Sequence, residues 1–309
     1  MDYAIGIDLG GTNIKAVAVS AAGEVLAQSE AETGGDERSA WAGLVRGQIA
    51  ALEGGFGSPA AGVGLASPGM VAADGRSMAS VSGHLETLQG FDWVDYLRIE
   101  RGFALLNDAH AALLGEVWQG AAAGARDALL LTLGTGVGGA ILTGGRLLTG
   151  HLGRGGHLGH TCLDVDGEPD SLGVPGTLEE AIGNRTLAKR SRGLFDLTER
   201  LVAAHLAGDA NASRVWLRSV YQLACGVTSL INVLDPEVVI IGGGVARAGA
   251  ALFDPLNEYL NLMEWRPGGR RVLIRPAALG RVAGALGAAL SAMLAAGIDD
   301  TSAGVPRVG

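Results

Sequence analysis

Three short glycine-rich segments could each bind a phosphate group, because each directly follows an apolar run typical of a strand. They are residues 8–15 (DLGGTNIK), 133–139 (LGTGVGG) and 241–245 (IGGGV). Adjacent glycines let the backbone approach a ligand closely and direct N–H groups at an anion. For any one segment a hairpin turn is the alternative, since glycine is also common in turns. Three such segments in one chain favour phosphate binding.

The first segment carries the side chains that phosphate chemistry needs. Thr12 and Asn13 provide hydroxyl and amide donors, and Lys15 is one of only two lysines in the chain. Asp8 lies at the end of the strand, where a carboxylate suits Mg²⁺ held through water. The chain has no G-x-x-x-x-G-K-[ST] pattern, which excludes a P-loop, and no G-x-G-x-x-G between a strand and a helix, which argues against a dinucleotide-binding fold.

The pair Asn107-Asp108 stands between a strand, residues 103–106, and the helix that follows. A carboxylate at that position could take or orient a proton during group transfer. Both residues are also good helix caps, stabilised by the first N–H groups and the macrodipole. By itself the pattern favours the cap.

The segment GHLGH, residues 156–160, places His157 and His160 three residues apart, upstream of Cys162, Asp164 and Asp166. These residue types allow a metal site, a substrate site or ordinary packing. No familiar zinc-ligand spacing fits them. Without further context, packing or solvent exposure is the default for such histidines.

The length, composition, net charge and cysteine count of the chain argue against several classes of protein. The chain has 309 residues, 48% hydrophobic and 18% charged, which is typical of a folded globular protein. A net charge of −9 argues against nucleic acid as the main partner. The two cysteines are too few for a disulfide framework, which indicates a reducing compartment. We find no signal peptide and no run long enough to span a membrane, and residues 299–309 read as a frayed terminus.

The pattern of strands and turns occurs twice along the chain. IDLGGTNIKAVAV and LTLGTGVGGAILT each predict a strand, a glycine turn and a second strand, which indicates a coarse internal duplication. Helical spacing predicts helices over residues 39–52 and 215–233, the latter either a buried core helix or an interface helix. We therefore predict two α/β lobes, with ligands bound in a cleft where strand ends meet.

Five motifs, in fixed order, cover nearly the whole chain. They are IGIDLGGTNIKAVAV, GVGLASPGMV, LLNDAHAALLGE, LTLGTGVGGAI and INVLDPEVVIIGGGVA. Together they resemble the ROK family of sugar kinases and repressors, within the actin-like sugar-kinase superfamily. The resemblance implies an α/β, two-lobed, ribonuclease H-like fold with a central cleft. Its small N-terminal lobe would be residues 1–113, completed by the C-terminal helix at about 284–300, and its large lobe residues 114–283.

The resemblance also implies roles for individual residues. Asp108 would be the catalytic base. The residues implied to bind the sugar are Gly69, Asn107, His157, His160 and Glu179. The residues implied to bind ATP and its phosphates are Asp8, Gly10, Gly11, Thr12, Asn13, Lys15, Thr135, Gly136, Gly243 and Gly244. Ser82 or His84 falls near a further sugar-binding position of the family.

Two departures from the family pattern bear on the site. His157 stands where the family has a sugar-binding glutamate, which leaves the sugar open. The family's structural zinc is held by one histidine and three cysteines, and those cysteine positions here are Asp170, Leu172 and Thr177. Because leucine cannot bind zinc and threonine rarely does, we predict no structural zinc. A substitute site built from His157, His160, Cys162 and Asp164 is not expected.

The resemblance implies a cytoplasmic kinase that transfers phosphate from ATP, with Mg²⁺, to a hexose hydroxyl. Glucose is the default acceptor. N-acetylhexosamines, fructose and mannose remain open as acceptors, and polyphosphate remains open as a donor. A non-catalytic sugar sensor and a superfamily member acting on acetate or glycerol are the rival interpretations. A homodimer follows from the family, and we expect neither a nucleic acid nor a membrane as partner.

Overall fold

The computed structural model describes residues 2–33, 38–81, 83–99 and 102–298. The chain divides into two compact units. Unit 1 comprises Met1–Arg126, Gly144–Gly155 and Ala278–Gly309, and unit 2 comprises Asp127–Thr143 and Gly156–Ala277. The predicted tail, residues 299–309, lies outside the described residues.

Unit 1 combines a main sheet, a short two-stranded sheet and helices. The strands of its two sheets are β1 (Tyr3–Leu9), β2 (Asn13–Ser20), β3 (Val25–Glu32), β4 (Gly62–Ser67), β5 (Met70–Val71), β6 (Met78–Ser80) and β7 (Phe103–Asn107). Its helices are α1 (Arg38–Phe56), α2 (Trp93–Leu97), α3 (Asp108–Gln119) and α9 (Ala283–Ala295).

The main sheet of unit 1 has the strand order β3-β2-β1-β4-β7. The pairs β1–β2 and β2–β3 are antiparallel, whereas the pairs β1–β4 and β4–β7 are parallel. In the register, Asp8 pairs with Ala66, and Ser67 pairs with Asn107. Because parallel strands end at the same edge, the polar residues at the ends of β1 and β7 are brought to one side of the sheet.

Helix α9 packs directly on this sheet, with glycines in the strands at the closest points. A Cβ atom at Gly6 would lie 1.8 Å from the carbonyl oxygen of Ala285, and one at Gly64 would lie 1.9 Å from that of Ala288. On its other side α9 meets α3 as closely, since a Cβ at Gly287 would lie 1.8 Å from the Ala111 carbonyl. Only glycine permits these contacts.

A buried carboxylate connects α3 to the segment that leads into α9. Glu116 is fully buried. Its carboxylate accepts N–H groups from Ala121 at 2.7 Å, Ala278 at 3.1 Å and Leu279 at 2.9 Å. Three backbone donors are thereby satisfied by one side chain, which compensates the burial of its charge.

Unit 2 repeats the sheet pattern of unit 1. Its strands are β8 (Ala128–Leu133), β9 (Val137–Thr143), β11 (Val238–Gly242) and β12 (Leu273–Pro276). Its helices are α4 (Leu178–Ile182), α5 (Leu187–Arg190), α6 (Thr198–Leu206), α7 (Ala210–Leu234) and α8 (Ala250–Met263). The whole sheet has the order β10-β9-β8-β11-β12, where β10 is Arg146–Leu147. Its part β9-β8-β11-β12, with β8–β9 antiparallel and the other pairs parallel, matches β2-β1-β4-β7. The predicted duplication is confirmed.

The long helix α7 forms part of the hydrophobic core of unit 2. Leu223 and Val227 on this helix are fully buried, whereas Tyr221 is 40% exposed. One face of α7 therefore packs inward, in line with the core alternative for residues 215–233. Within the described residues, every helix is too short or too polar to traverse a lipid bilayer.

The division into units differs from the lobe boundary that the sequence suggested. A boundary at residue 113 falls inside α3, which the contacts place wholly in unit 1. The physical reason is the close packing of the second half of α3 on α9, where a Cβ at Gly115 would lie 2.4 Å from the Ala283 carbonyl. Residues 299–300, assigned to the C-terminal helix from the sequence, lie outside the described residues.

We expect Gly64→Ala to destabilise the protein by more than about 3 kcal/mol, because a methyl group has no space against the backbone of α9. Gly47→Ala is the matched control: Gly47 is exposed in α1 with open space at its Cβ position. The control should gain about 0.5–1 kcal/mol. Urea denaturation followed by circular dichroism measures both, and equal stabilities of the two variants would contradict the packing argument.

Candidate active site

Asn107 connects the ends of two parallel strands in unit 1. Its side-chain amide donates to the carbonyl of Gly69 at 3.0 Å, and its side-chain oxygen accepts from the N–H groups of Ala109 and His110 at 2.9 and 3.2 Å. Asn107 is therefore the N-cap of α3. The cap also fixes the turn that follows β4 to the start of α3.

Asp108 is the first residue of α3, directly after that cap. One of its carboxylate oxygens accepts the N–H of Ala109 at 2.8 Å, and the residue is half-buried. Because Asn107 is the cap, Asp108 lies in the first turn of the helix, at the positive end of the helix dipole. The structure thus puts a carboxylate at the sheet edge where Asp8 also lies.

Gly69 is held in a conformation that other residues rarely adopt. Its φ angle is +105°, and a Cβ there would lie 2.2 Å from the carbonyl oxygen of Ser80. Its own carbonyl accepts from Asn107. The structure therefore brings Gly69, Asn107 and Asp108 together, as the sequence suggested. The other sugar-binding alternative in this region, Ser82, lies outside the described residues, as does the side chain of His84.

Asp8 is a strongly perturbed carboxylate near the same edge. Burial raises its pKa to about 6; the positive charge of Lys15 opposes that rise, and the negative charge of Asp108 adds to it. Lys15 is the partner of Asp8 in the β1–β2 register. The carboxylate also faces the first turn of α9, where a Cβ at Gly284 would lie 3.0 Å from Oδ2. Asp8 and Asp108 therefore form a local concentration of negative charge, which suits a cation.

The first glycine segment is a hairpin turn between β1 and β2. The N–H of Gly10 donates to the carbonyl of Asn13 at 3.1 Å, and Thr33 donates to the carbonyls of Gly10 and Thr12, each at 2.8 Å. Gly11 and Thr12 are exposed at its tip. The hairpin alternative is therefore correct as local structure, and it leaves the exposed tip available for an anion.

The second glycine segment, between β8 and β9 in unit 2, packs against Glu179. The side chain of Glu179 accepts the N–H of Val137 at 2.9 Å, and a Cβ at Gly136 would lie 2.2 Å from its Oε2 atom. Glu179 is 6% exposed and forms an ion pair with Arg185. The structure thus brings Thr135, Gly136 and Glu179 together.

Arg185 is a site residue that the sequence did not single out. Its N–H donates to the carbonyl of Thr135 at 2.9 Å, and the N–H of Asn184 donates to that of Gly134 at 2.9 Å. Its guanidinium is about half exposed while it pairs with Glu179. Arg185 follows Glu179 by six residues, and no motif spacing marks such a pair.

The third glycine segment follows β11 and turns against the end of β8. Gly243 has a φ angle of +86°, and a Cβ there would lie 2.3 Å from the carbonyl oxygen of Leu133. Gly244 has open space at its Cβ position. The second and third segments therefore meet at the carboxyl ends of neighbouring strands in unit 2.

The two histidines of GHLGH lie at either end of a short 3₁₀ turn, Leu158–His160. His160 Nδ1 lies 2.7 Å from the Oδ2 atom of Asp170, a hydrogen-bonding contact that the sequence did not suggest. His157 is half-buried at the start of the turn. Among the residues that the structure describes, no group of three or more His, Cys, Asp or Glu could hold a metal ion.

We expect Asp8→Asn to stabilise the protein above pH 6, by up to about 3 kcal/mol. Because the pKa of Asp8 is raised from 3.8 to about 6, the folded state binds the proton more tightly than the unfolded state. Ionisation therefore costs stability as the pH rises from about 4 to about 6. The gain of the variant should grow over that range and level off above it.

Urea denaturation of both proteins between pH 4.5 and pH 8 measures this gain. Asp254→Asn, at an exposed position of α8, is the control and should show no such trend. A stability difference between Asp8→Asn and the native chain that does not vary with pH would contradict the burial of an ionisable Asp8.

Comparison with known proteins finds similarity over nearly the whole chain. A match described as the ROK family covers residues 4–294. A glucokinase from Halalkalibacterium halodurans is 33% identical over 315 residues, covering 92% of each chain. The ROK hexokinase from Thermus thermophilus has a TM-score of 0.82 at 32% identity, covering 94% of this chain and 98% of that one. A ROK glucokinase from Streptomyces griseus, solved with glucose and AMPPNP, has a TM-score of 0.74 at 25% identity, covering 93% and 98%. With its two units, duplicated sheets and matching motifs, this chain belongs to the ROK family and has its two-lobed, actin-like α/β fold.

Proposed function

We propose that this protein is a sugar kinase that transfers the γ-phosphoryl group of ATP to a hexose hydroxyl, with glucose as the default acceptor. The observation that carries the proposal is the position of Asp108 beside the Asn107 cap, at the C-terminal ends of the parallel strands in unit 1. The kinases among its relatives and the complex with glucose and AMPPNP support the same activity.

In this proposal Asp108 is the catalytic base. The hydroxyl that attacks ATP must lose its proton, and the carboxylate at the first position of α3 would accept it. Asn107 keeps α3 and the Gly69 turn fixed through its three hydrogen bonds. A base held by such a cap needs little reorganisation when the sugar arrives.

The residues at the β1 edge fit a magnesium ion. Mg²⁺ prefers carboxylate oxygens and water, and the raised pKa of Asp8 indicates that its negative charge lacks full compensation in the protein. When bound there, Mg²⁺ neutralises charge on the ATP phosphates. Asp8 would hold it through water, while the turn formed by Gly10, Gly11 and Thr12, together with Asn13 and Lys15, would contact phosphate oxygens.

The candidate residues of unit 2 belong to the same proposal. Thr135 and Gly136 stand at an exposed turn suited to phosphate, and Gly243 and Gly244 would lie near the nucleoside end of ATP. Glu179, His157 and His160 would contact sugar hydroxyls, since carboxylates and imidazoles give directional hydrogen bonds.

The acceptor and the donor each have an alternative in this proposal. His157 in place of the family's glutamate leaves N-acetylhexosamines, fructose and mannose as alternative acceptors. Polyphosphate is the alternative donor. The rival interpretation is a sugar sensor without catalytic activity. The presence of Asp8 and Asp108 argues against it, because a sensor does not need residues that act on phosphate groups.

A homodimer and a cytoplasmic location belong to the same proposal. Exposed apolar side chains on unit 2, including Leu262 at 85% and Trp265 at 75%, support a surface that another copy covers. Both cysteines are free thiols, and the proposed donor ATP is a cytoplasmic metabolite.

We expect Asp108→Asn to fold and bind substrates but to lose kcat by about 10²- to 10⁴-fold, because an amide cannot accept the hydroxyl proton. The matched control is Asp209→Asn, which removes a carboxylate from the N-cap of α7, where asparagine caps equally well. A coupled ADP-release assay measures both. Near-native turnover by folded Asp108→Asn would refute the assignment of the base.

We expect the native enzyme to turn over Mg-ATP with glucose faster than with N-acetylglucosamine, N-acetylmannosamine, fructose or mannose. A second assay, in which polyphosphate replaces ATP and glucose 6-phosphate is detected instead of ADP, identifies the phosphoryl donor. Turnover highest on another sugar would move the acceptor to that sugar. Binding of a sugar by calorimetry without any turnover would favour the sensor.

A further inference from the structure

The loop after the GHLGH turn folds around one carboxylate. The side chain of Asp170 is fully buried, whereas that of His160 is 27% exposed. One carboxylate oxygen of Asp170 lies 2.7 Å from His160 Nδ1. The other accepts the N–H groups of Leu172 at 2.8 Å and Val174 at 3.0 Å. Asp170 therefore joins the histidine to the backbone of its own loop.

The loop leaves this carboxylate little freedom to turn away. The N–H of Asp170 donates to the carbonyl of Val174 at 2.9 Å, and Pro169 and Pro175 form an isolated bridge across the loop. Burial raises the pKa of Asp170, but the hydrogen bonds from His160, Leu172 and Val174 outweigh that effect and leave the pKa below its usual value. An ionised carboxylate only accepts hydrogen bonds.

A zinc ion does not fit the residues at this place. Leu172 is 68% exposed and has no ligand atom, and the hydroxyl of Thr177 accepts the N–H of Glu180 to cap α4. Asp170 already contacts His160 directly. The position that the metal takes in the family pattern is therefore served here by a hydrogen bond between two side chains.

We infer that Asp170 is a positioning residue for sugar recognition: its carboxylate accepts the proton on Nδ1 of His160, so that in the neutral form of the ring Nε2 is the hydrogen-bond acceptor for a sugar hydroxyl. The two ring nitrogens of histidine are coupled in this way: the partner of one sets the role of the other. The inference rests on the proposed function, and it adds that His160 selects a hydroxyl that donates.

The substitution Asp170→Asn should exchange the donor and acceptor roles of the two ring nitrogens of His160 without changing the shape of the loop. The backbone N–H groups of Leu172 and Val174 need an oxygen acceptor, so the Asn oxygen would face them and its NH₂ would face His160. Nδ1 would then have to accept a hydrogen bond. The ring proton would move to Nε2, which would become a donor.

The test compares the native enzyme with Asp170→Asn. We expect KM for the sugar to rise at least about tenfold in the variant, while KM for ATP stays within about twofold, because one polar contact to the sugar is lost. Deoxyfluoro sugars accept but do not donate hydrogen bonds. The analogue fluorinated at the recognised hydroxyl should be disfavoured by the native enzyme and relatively better used by Asp170→Asn.

Nitrogen-15 NMR of the His160 ring supplies a readout that a merely structural role would not change. We expect the Nδ1–H tautomer in the native protein and the Nε2–H tautomer in Asp170→Asn. Asp166→Asn, which removes an exposed charge from the same loop, is the control and should leave both readouts unchanged.

The experiments distinguish a failure of the proposed function from a failure of the inference alone. No turnover by the native protein with any sugar would overturn the proposed function and the inference with it. An active native enzyme whose sugar KM, analogue preference and ring tautomer are unchanged in Asp170→Asn would overturn the inference alone. Stoichiometric zinc in the purified protein would also overturn it, since a metal-bound Nδ1 cannot donate to Asp170.

Discussion

The direct contact between the backbone of α9 and the strands β1 and β4 is the constraint on which unit 1 depends. At Gly6 and Gly64 the missing side chains let the helix approach to a distance that even alanine would prevent. The same helix contacts α3 through Gly287 and faces Asp8 with Gly284. The glycines in this region therefore do more than form turns, because the close packing they allow buries Asp8, and that burial raises its pKa.

Polar side chains then fix the elements that this packing brings together. Asn107 satisfies the first N–H groups of α3 and the Gly69 carbonyl with one amide, and Glu116 satisfies three backbone donors farther along the same helix. Each group is buried and hydrogen-bonded, so its removal would leave several partners unsatisfied. Helix α3 is thus held near both ends, which gives Asp108 at its first residue a fixed position.

Unit 2 uses charged side chains for a comparable purpose. Glu179 holds the turn after β8 through Val137 and is itself paired with Arg185, while Asp170 holds the ring of His160. In both cases a nearly buried carboxylate contacts backbone N–H groups and a more exposed cationic or imidazole group. In each pair, the buried carboxylate orients the more exposed side chain through a direct contact.

The sequence by itself determined the strands, the glycine turns, their duplication and the placement of Asn107-Asp108 at a strand end, because these depend on local patterns of period and residue type. It also predicted, from Leu172 and Thr177, that the zinc ligands of the family pattern are missing. Only the tertiary structure decided that Asp170 contacts His160, that Arg185 pairs with Glu179, and that Glu116 binds Ala278 and Leu279, 162 and 163 residues away. Those contacts depend on how the chain returns on itself, and such returns leave no periodic signal in the sequence. The depth at which Asp8 is buried belongs to the same class, since it is set by a helix nearly three hundred residues later.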